Sequence, residues 1–295
     1  MINFRYHVVS LAAVLFALAG GAALGAGVLD DADDSSAVET TTSSGSDAAL
    51  RQFEAGFAGR TAEGLLGGRL KGESVVVLTV PGTDAAQVKG VTSDLELAGA
   101  EVTGEIALSS KLLDSSGRQF AEGVAQQAAQ DVPGVDAAGD TYGRVGAAFA
   151  RAFLADRAAT LDQTASTIRS AFVEGDLVTA TRDPKRSATL AVLVAGPQRA
   201  GGADQSTVVA ALASAIGASD APGRGVVVAG PASSSTDGGV VKAVRDGDAA
   251  SEVSTVDVTD SAAGRIVTVL AAAAQADGRP GAWGTQRSAG GAVPS

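Results

Sequence analysis

The chain of 295 residues has no cysteine, a single histidine and a single methionine. Without cysteine it can form no disulfide, no thiolate metal site and no thiol nucleophile. The histidine is His7, close to the N-terminus and far in sequence from the serines of the later segments, so no Ser-His pair is indicated. We therefore expect a protein that is not an enzyme.

Aromatic residues are also scarce, at 4% of a chain that is 45% hydrophobic, so its core must be built from Ala, Val and Leu. The net charge of −11 would repel nucleic acid and anionic membrane surfaces, and we expect neither as a partner. No G-x-x-x-x-G-K-[ST] sequence occurs, and no G-x-G-x-x-G follows a predicted strand. We therefore expect no nucleotide and no other cofactor.

The longest uncharged run is Val8 to Leu29, VVSLAAVLFALAGGAALGAGVL, in which only Ser10 is polar. With a rise of about 1.5 Å per residue, a helix of this length covers roughly 33 Å, close to the thickness of the bilayer hydrocarbon core. We predict an uncleaved transmembrane anchor over 8–29. A secretory signal peptide is the alternative, because the small residues Ala23, Gly25 and Ala26 resemble a cleavage site.

The charges that flank this run differ in sign. Arg5 lies before it, whereas the acidic cluster Asp30, Asp31, Asp33 and Asp34 follows it. The positive-inside rule then places residues 1–7 in the cytoplasm and the rest of the chain outside. The four carboxylates offer hard oxygen ligands and are weak candidates for a metal site; alternatively they form only a hydrated flank.

One face of the predicted anchor carries small residues four positions apart: Ala13, Ala17, Gly21 and Gly25. Such a stripe lets two helices approach closely in lipid, which predicts a homo-oligomer held together by the anchor. The alternative is that a composition rich in Ala and Gly places these residues there by chance.

The remaining chain divides by composition. Residues 30–47 are acidic and rich in Ser and Thr, which predicts a solvated linker. Residues 48–72 predict a helical stalk, and residues 73–284 an α/β domain with a helical insertion at about 109–187. The last residues, 285–295, read as a flexible tail.

The domain assignment depends on short apolar runs that alternate with helical patterns. The predicted strands are Val75–Val80, Glu101–Leu108, Thr189–Ala195, Gly225–Ala229 and Val253–Val258. Continuous apolar strands are typical of sheets covered on both faces, and strand–helix–strand units are typical of parallel pairing. The predicted fold class is α/β: an open, mainly parallel sheet with helices on both faces, preceded by one N-terminal transmembrane helix.

Ligands of such sheets bind outside the carboxyl ends of the strands, which here directs attention to the loops 81–84, 196–204 and 230–239. The last of these, GPASSSTDGG, is the most suggestive. Its hydroxyl groups on Ser233, Ser234, Ser235 and Thr236 are candidates for holding an anion at the start of a helix. The alternative is that they only form a long turn and cap that helix.

Four blocks of the sequence are informative together: MINFRYHVVSLAAVLFALAGGAALGAG at the N-terminus, the segment Leu65–Leu108, LAVLVAGP at 190–197 and the segment Val256–Gly284. They resemble the MctB family of mycobacterial-type copper transport proteins. The blocks are spread over nearly the whole chain in the expected order. Residues 109–187 match only in general character.

The resemblance implies a protein of the cell envelope that keeps intracellular copper low, as a channel-forming outer-membrane component of copper export. It also implies copper as the transported partner. Copper is bound mainly by Cys, Met and His, and beyond the predicted anchor the sequence contains none of these. A transport component that does not hold the ion tightly and an anchored scaffold or binding domain with an indirect effect on copper therefore both stay open.

The small-residue stripe gives a testable prediction. Replacing Gly21 and Gly25 together by Ile should lower the yield of crosslinked dimer, because the larger side chains keep the two helix backbones apart. Crosslinking in isolated membranes measures this yield. An unchanged yield would mean that the small residues reflect composition alone.

Overall fold

The central strands of the sheet are apolar along their whole length because both of their faces are covered. In the computed structural model, which describes residues 35–294 apart from 131, 133, 136–140, 200–201 and 219–220, the strands form one seven-stranded sheet. Its strands are β1 (Ser74–Thr79), β2 (Glu101–Leu108), β3 (Val178–Arg182), β4 (Leu190–Val194), β5 (Val226–Ala229), β6 (Ser254–Val256) and β7 (Ala282–Trp283). The order across the sheet is β3-β2-β1-β4-β5-β6-β7.

All neighbouring strands are parallel except β2 and β3, which pair antiparallel at one edge. The prediction of an α/β fold with a mainly parallel sheet is therefore confirmed. The helices are α1 (Ser35–Leu66), α2 (Ala85–Leu97), α3 (Ser110–Leu113), α4 (Arg118–Ala128), α5 (Thr141–Phe153), α6 (Gln163–Glu174), α7 (Ala203–Gly217), α8 (Val240–Arg245) and α9 (Ala262–Ala276).

Successive residues of each strand point into two separate cores. In β1, Val75 and Val77 join one core with side chains of α2, α9 and the end of α1. Val76 and Leu78 join the other core, which is formed by α3 to α8. This alternation is the period of two that strand geometry imposes, and it places helices on both faces of the sheet.

Two strands were not predicted. Strand β3 lies within residues 109–187, where we predicted only helices, and β7 contains only two residues. Most side chains of β3 are polar and partly or fully exposed, because the strand is at an edge and has no second neighbour in the sheet. Its sequence, VTATR, therefore lacks the apolar run that identified the central strands.

Helix α1 differs from the predicted linker and stalk. It begins at Ser35, inside the segment predicted as a linker, and continues to Leu66 without interruption. Near its end Ala58, Ala62 and Leu66 are buried in the core beside α2 and α9. This part of the predicted stalk is therefore a layer of the α/β unit, which comprises residues 54–295.

The predicted anchor Val8–Leu29, with its stripe of Ala13, Ala17, Gly21 and Gly25, lies outside the described residues, as does the acidic cluster of Asp30 to Asp34. Within the ranges that the structure does describe, none of the helices is both long and apolar enough to traverse a bilayer.

The far end of the sheet contains a buried ion pair. Arg245 at the end of α8 and Asp257, directly after β6, approach to 2.7 Å with side-chain exposures of 5% and 0%. The guanidinium also donates to the Trp283 carbonyl oxygen at 3.0 Å and to the Ser288 hydroxyl at 2.9 Å. The second Asp257 oxygen accepts from the Thr285 backbone N–H at 2.8 Å. Residues 285–288, which begin the predicted flexible tail, are thereby bonded to the domain.

Removing one partner of this pair should destabilise the protein strongly. Asp257→Asn leaves the Arg245 charge buried without its counter-ion, so we expect the free energy of unfolding to fall by about 3–5 kcal/mol. Urea unfolding of the full chain in detergent, followed by the fluorescence of Trp283, the only tryptophan, measures this value.

The matched control is Glu96→Gln, which breaks the ion pair with Arg182, whose two side chains are each 48% exposed. An exposed pair contributes less than about 1 kcal/mol, so this variant should unfold close to the wild-type midpoint. Equal losses in the two variants would contradict our account of the buried pair.

Candidate functional site

The sheet contains one point at which its connections diverge. From β1 the chain continues to β2 on one side, and from β4 it continues to β5 on the other, while β1 and β4 are themselves neighbours. Open α/β sheets bind ligands at such a switch point, outside the carboxyl ends of the strands. Two of the loops selected from the sequence, 81–84 and 196–204, follow β1 and β4 and meet here.

A pocket opens at this switch point, and we name it the switch-point pocket. It is shallow and open, and the empty space of about 420 Å³ in and above it includes open solvent. Its apolar wall consists of Val80, Pro81, Leu113, Pro197, Val209 and Val240, and its polar rim consists of Gln198, Arg199, Gln205 and Ser206, with Gly196 and Gly202 between them. Mostly apolar walls with a few polar groups are typical of small-molecule sites.

Direct contact between the two loops holds the rim of the pocket in place. The Thr83 hydroxyl lies 2.9 Å from the Val80 carbonyl oxygen and 3.0 Å from that of Val194, so it bridges the ends of β1 and β4. A Cβ atom on Gly196 would lie only 2.8 Å from the Gly82 carbonyl oxygen and 3.2 Å from the Thr83 nitrogen. The close approach of the loops therefore requires glycine at 196.

The guanidinium of Arg199 lies against Gly82. A Cβ atom on Gly82 would be 1.7 Å from Arg199 Nη2 and 2.1 Å from Cζ, so the absence of a side chain there makes room for the arginine. Arg199 is exposed, and none of the carboxylates in the described part of the chain lies within ion-pair distance of it. The N–H donors of this guanidinium are thus open at the rim of the pocket.

The other polar side chains of the rim have partners inside the protein. Gln205 Nε2 donates to Asp114 Oδ1 at 2.6 Å, and the Ser206 hydroxyl donates to the Gly238 carbonyl oxygen at 2.8 Å. Both bonds tie the first turn of α7 to neighbouring elements. They leave Arg199 as the cationic side chain of the described pocket lining.

The serine-rich loop after β5 forms a turn of 3-10 helix over Ala232–Ser235. The hydroxyls of Ser234, Ser235 and Thr236 donate to the backbone carbonyls of Pro231, Ala232 and Ser233 at 2.6, 2.9 and 2.7 Å. Ser234 and Ser235 are buried, and the helix that follows, α8, has only six residues. These bonds form a turn, which is part of the alternative that we gave, and the binding of an anion by this loop stays a prediction.

No three or more His, Asp or Glu side chains of the described chain cluster closely enough to hold a metal ion. Carboxyl groups with a shifted pKa lie away from the pocket. Burial raises the pKa of Asp94 at the contact of α2 with α9, where Arg265 partly offsets it. The pKa of Asp162 is lowered by its hydrogen bond from Arg151 and by capping α6. The described lining of the pocket contains no Asp, Glu, His or Lys side chain.

Sequence reasoning located the loops of this site but missed its side chains. The Pro81-Gly82 and Gly196-Pro197 pairs at the ends of apolar runs were the available signals. Nothing in the local sequence shows that Leu113 and Val240, from α3 and the start of α8, line the same pocket as Arg199. Their proximity arises from the packing of elements that are distant along the chain.

The chain has relatives of known description. The family profile described as "Copper transport outer membrane protein, MctB" matches residues 1–294. The chain is 30% identical over 298 residues to the "Copper transporter MctB" of Mycobacterium bovis, and the alignment covers 92% of both chains. Identity and coverage are the same for proteins of that name from two strains of Mycobacterium tuberculosis. The family resemblance seen in the sequence blocks is thereby confirmed.

The contact between the loops around the pocket gives a testable prediction. Gly196→Ala should lower the free energy of unfolding by about 1–3 kcal/mol, because the new methyl group pushes the two loops apart. Gly123→Ala in α4 is the matched control, since a Cβ atom there meets nothing within 4 Å. This control should be neutral or stabilising by up to about 1 kcal/mol. Urea unfolding of both variants tests the difference, and equal effects would contradict the steric argument.

Proposed function

Because the chain belongs to the MctB family of copper transport outer membrane proteins, we propose that it acts in copper transport in the cell envelope and keeps intracellular copper low. The single observation that carries this proposal is the match of the family profile to residues 1–294. A match of that length includes the predicted anchor as well as the α/β unit. A role in transport is a non-enzymatic role, in agreement with the absence of cysteine and of a paired histidine.

In this proposal the segment Val8–Leu29 anchors the protein in the membrane with its N-terminus inside. The α/β unit then lies outside the cytoplasm, in the cell envelope. Arg5 on one flank and four aspartates on the other support this orientation. Self-association along Gly21 and Gly25 produces a homo-oligomer, which is the arrangement that a channel-forming role requires.

We further propose that the protein does not retain copper tightly. The soft copper donors of the whole sequence are Met1 and His7, both before the predicted anchor. The residues described by the structure contain no cluster of three His, Asp or Glu side chains. Copper would therefore pass along an oligomeric path with only weak oxygen contacts, or be handled by a partner that this protein assists.

A second candidate function is supported by a specific observation. The switch-point pocket has the apolar wall and single cationic side chain of a site for an organic molecule, and it offers no group of metal ligands. An anchored envelope domain that binds such a molecule would affect copper only indirectly. This candidate differs from the first in that loss of the protein would not change the copper content of cells directly.

Two measurements test the proposal together. Deleting the protein should raise cell-associated copper and sensitivity to copper, and the full-length chain should restore both. Competition with a chromophoric Cu(I) chelator should show that the full-length chain in detergent binds Cu(I) weakly, because it lacks soft ligands.

The matched control is His7→Asn, which removes the only histidine and should leave the restored copper resistance unchanged. Unchanged copper content after deletion would overturn the transport proposal and favour the second candidate. Tight binding of Cu(I) by the purified chain would overturn the claim that copper is not retained.

A further inference from the structure

We propose that the switch-point pocket binds a small organic monocarboxylate, with its carboxylate on Arg199 and its apolar body against Val80, Pro81, Pro197 and Val240. This inference concerns a site that the copper role does not use. If the pocket bound no carboxylate, the transport proposal would stand. If the transport proposal were wrong, the pocket could still bind a carboxylate.

The pocket occupies a place in the fold that favours a ligand. It lies where β1 and β4 end side by side and their connections diverge, which is the usual ligand position in open α/β sheets. The loops there are held by Thr83 and by the contact between Gly82 and Gly196. The site is therefore shaped before any ligand arrives.

Arg199 is held in position but has no ion-pair partner among the described residues. The guanidinium is seated on Gly82, where any other residue would displace it, and its donors make no ion pair with a described carboxylate. A planar guanidinium presents parallel N–H groups that match the two oxygens of a carboxylate. An arginine that is held in position at the rim of a pocket and pairs with none of the described carboxylates is suited to bind the carboxylate of a ligand.

The charges around the pocket favour a ligand with a single negative charge. Asp114 accepts from Gln205, a residue of the pocket lining. A pocket with one cation and with an acid bonded to its lining does not favour a phosphate, which carries more charge than one guanidinium balances. A monocarboxylate makes a bidentate pair with Arg199 and adds less repulsion.

The apolar wall of the pocket favours an apolar ligand body. Leu113 and Val209 are each 1% exposed and form only the floor of the pocket, so its accessible apolar surface comes from Val80, Pro81, Pro197 and Val240. These side chains offer a ligand an apolar surface and no hydrogen-bonding group. A compact aromatic or branched aliphatic group can pack against this surface without losing hydrogen bonds. A sugar or a peptide backbone would lose its hydrogen bonds to water there.

The probe for the test is para-fluorobenzoate, and its neutral isostere para-fluorobenzamide is the matched ligand control. Fluorine NMR of the full-length chain in a neutral detergent, corrected with empty micelles, measures binding of both. We expect saturable binding of the benzoate with a dissociation constant on the order of 1 mM, since the pocket is open and makes one ion pair. The benzamide should bind at least about tenfold more weakly.

Three variants locate the site. Arg199→Gln should weaken benzoate binding at least about tenfold, and Arg199→Lys should give an intermediate loss because a lysine cannot form the bidentate pair. Arg157→Gln, which removes an exposed arginine that does not line the pocket, is the matched control and should bind like the wild type.

Three outcomes would overturn the inference. They are binding by Arg199→Gln within twofold of the wild type, equal binding of benzamide and benzoate, and the absence of saturable benzoate binding. Displacement of the benzoate by inorganic phosphate at a lower concentration than by unlabelled benzoate would show that the ligand class is wrong.

Discussion

The structure depends on a sheet whose central strands are covered on both faces. Every residue of β4 and β5 is buried, as are the first five of the six residues of β1. Burying a Val or Leu side chain stabilises a fold by about 1.5–3 kcal/mol relative to leaving it exposed, so these short strands contribute a large share of the total. Because both faces must be covered, the chain has to place helices on each side after nearly every strand. This requirement produces the parallel order and the two separate cores.

The same architecture explains why the carboxyl edge of the sheet behaves differently at its two ends. At β6 and β7 the edge is closed by Arg245 and Asp257, which satisfy each other and bind Thr285 and Ser288. At β1 and β4 the connections leave in opposite directions, and the loop residues that follow these strands border the switch-point pocket. Arg245 is therefore a structural residue with a buried counter-ion, whereas Arg199 lies at the rim of a pocket with open donors. The different roles of the two arginines follow from their surroundings in the fold, a buried ion pair for Arg245 and an open pocket rim for Arg199.

Much of the fold could be predicted from the sequence because the signals were local. The runs Val75–Val80 and Thr189–Ala195 are mostly apolar and are followed by Pro or Gly, and the Asp84 side chain caps α2 by accepting from the Ala86 backbone N–H. Gly99 has a φ of +89°, as required at the end of a helix where the chain reverses. These features depend on the residues themselves and their near neighbours.

The features that were missed depend on distant parts of the chain. Strand β3 is polar and is recognisable only because β2 offers it an edge to pair with. Similarly, the sequence of the serine-rich loop after β5 did not show that the hydroxyls of Ser234, Ser235 and Thr236 bond to carbonyls of their own turn. The role of Arg199 depends on Gly82, more than one hundred positions earlier in the chain. Patterns within a short window contain no information on such contacts.

The absence of soft ligands is compatible with a role in copper transport on physical grounds. An ion passes through a conduit only if each contact is strong enough to admit it and weak enough to release it. Thiolate and imidazole ligands bind copper tightly, and a transport component built around them would retain its cargo unless another protein removed it. A chain with no cysteine and one histidine avoids this retention. In the described structure, the pocket beside Arg199 likewise has an apolar wall and a cationic side chain instead of a group of metal ligands.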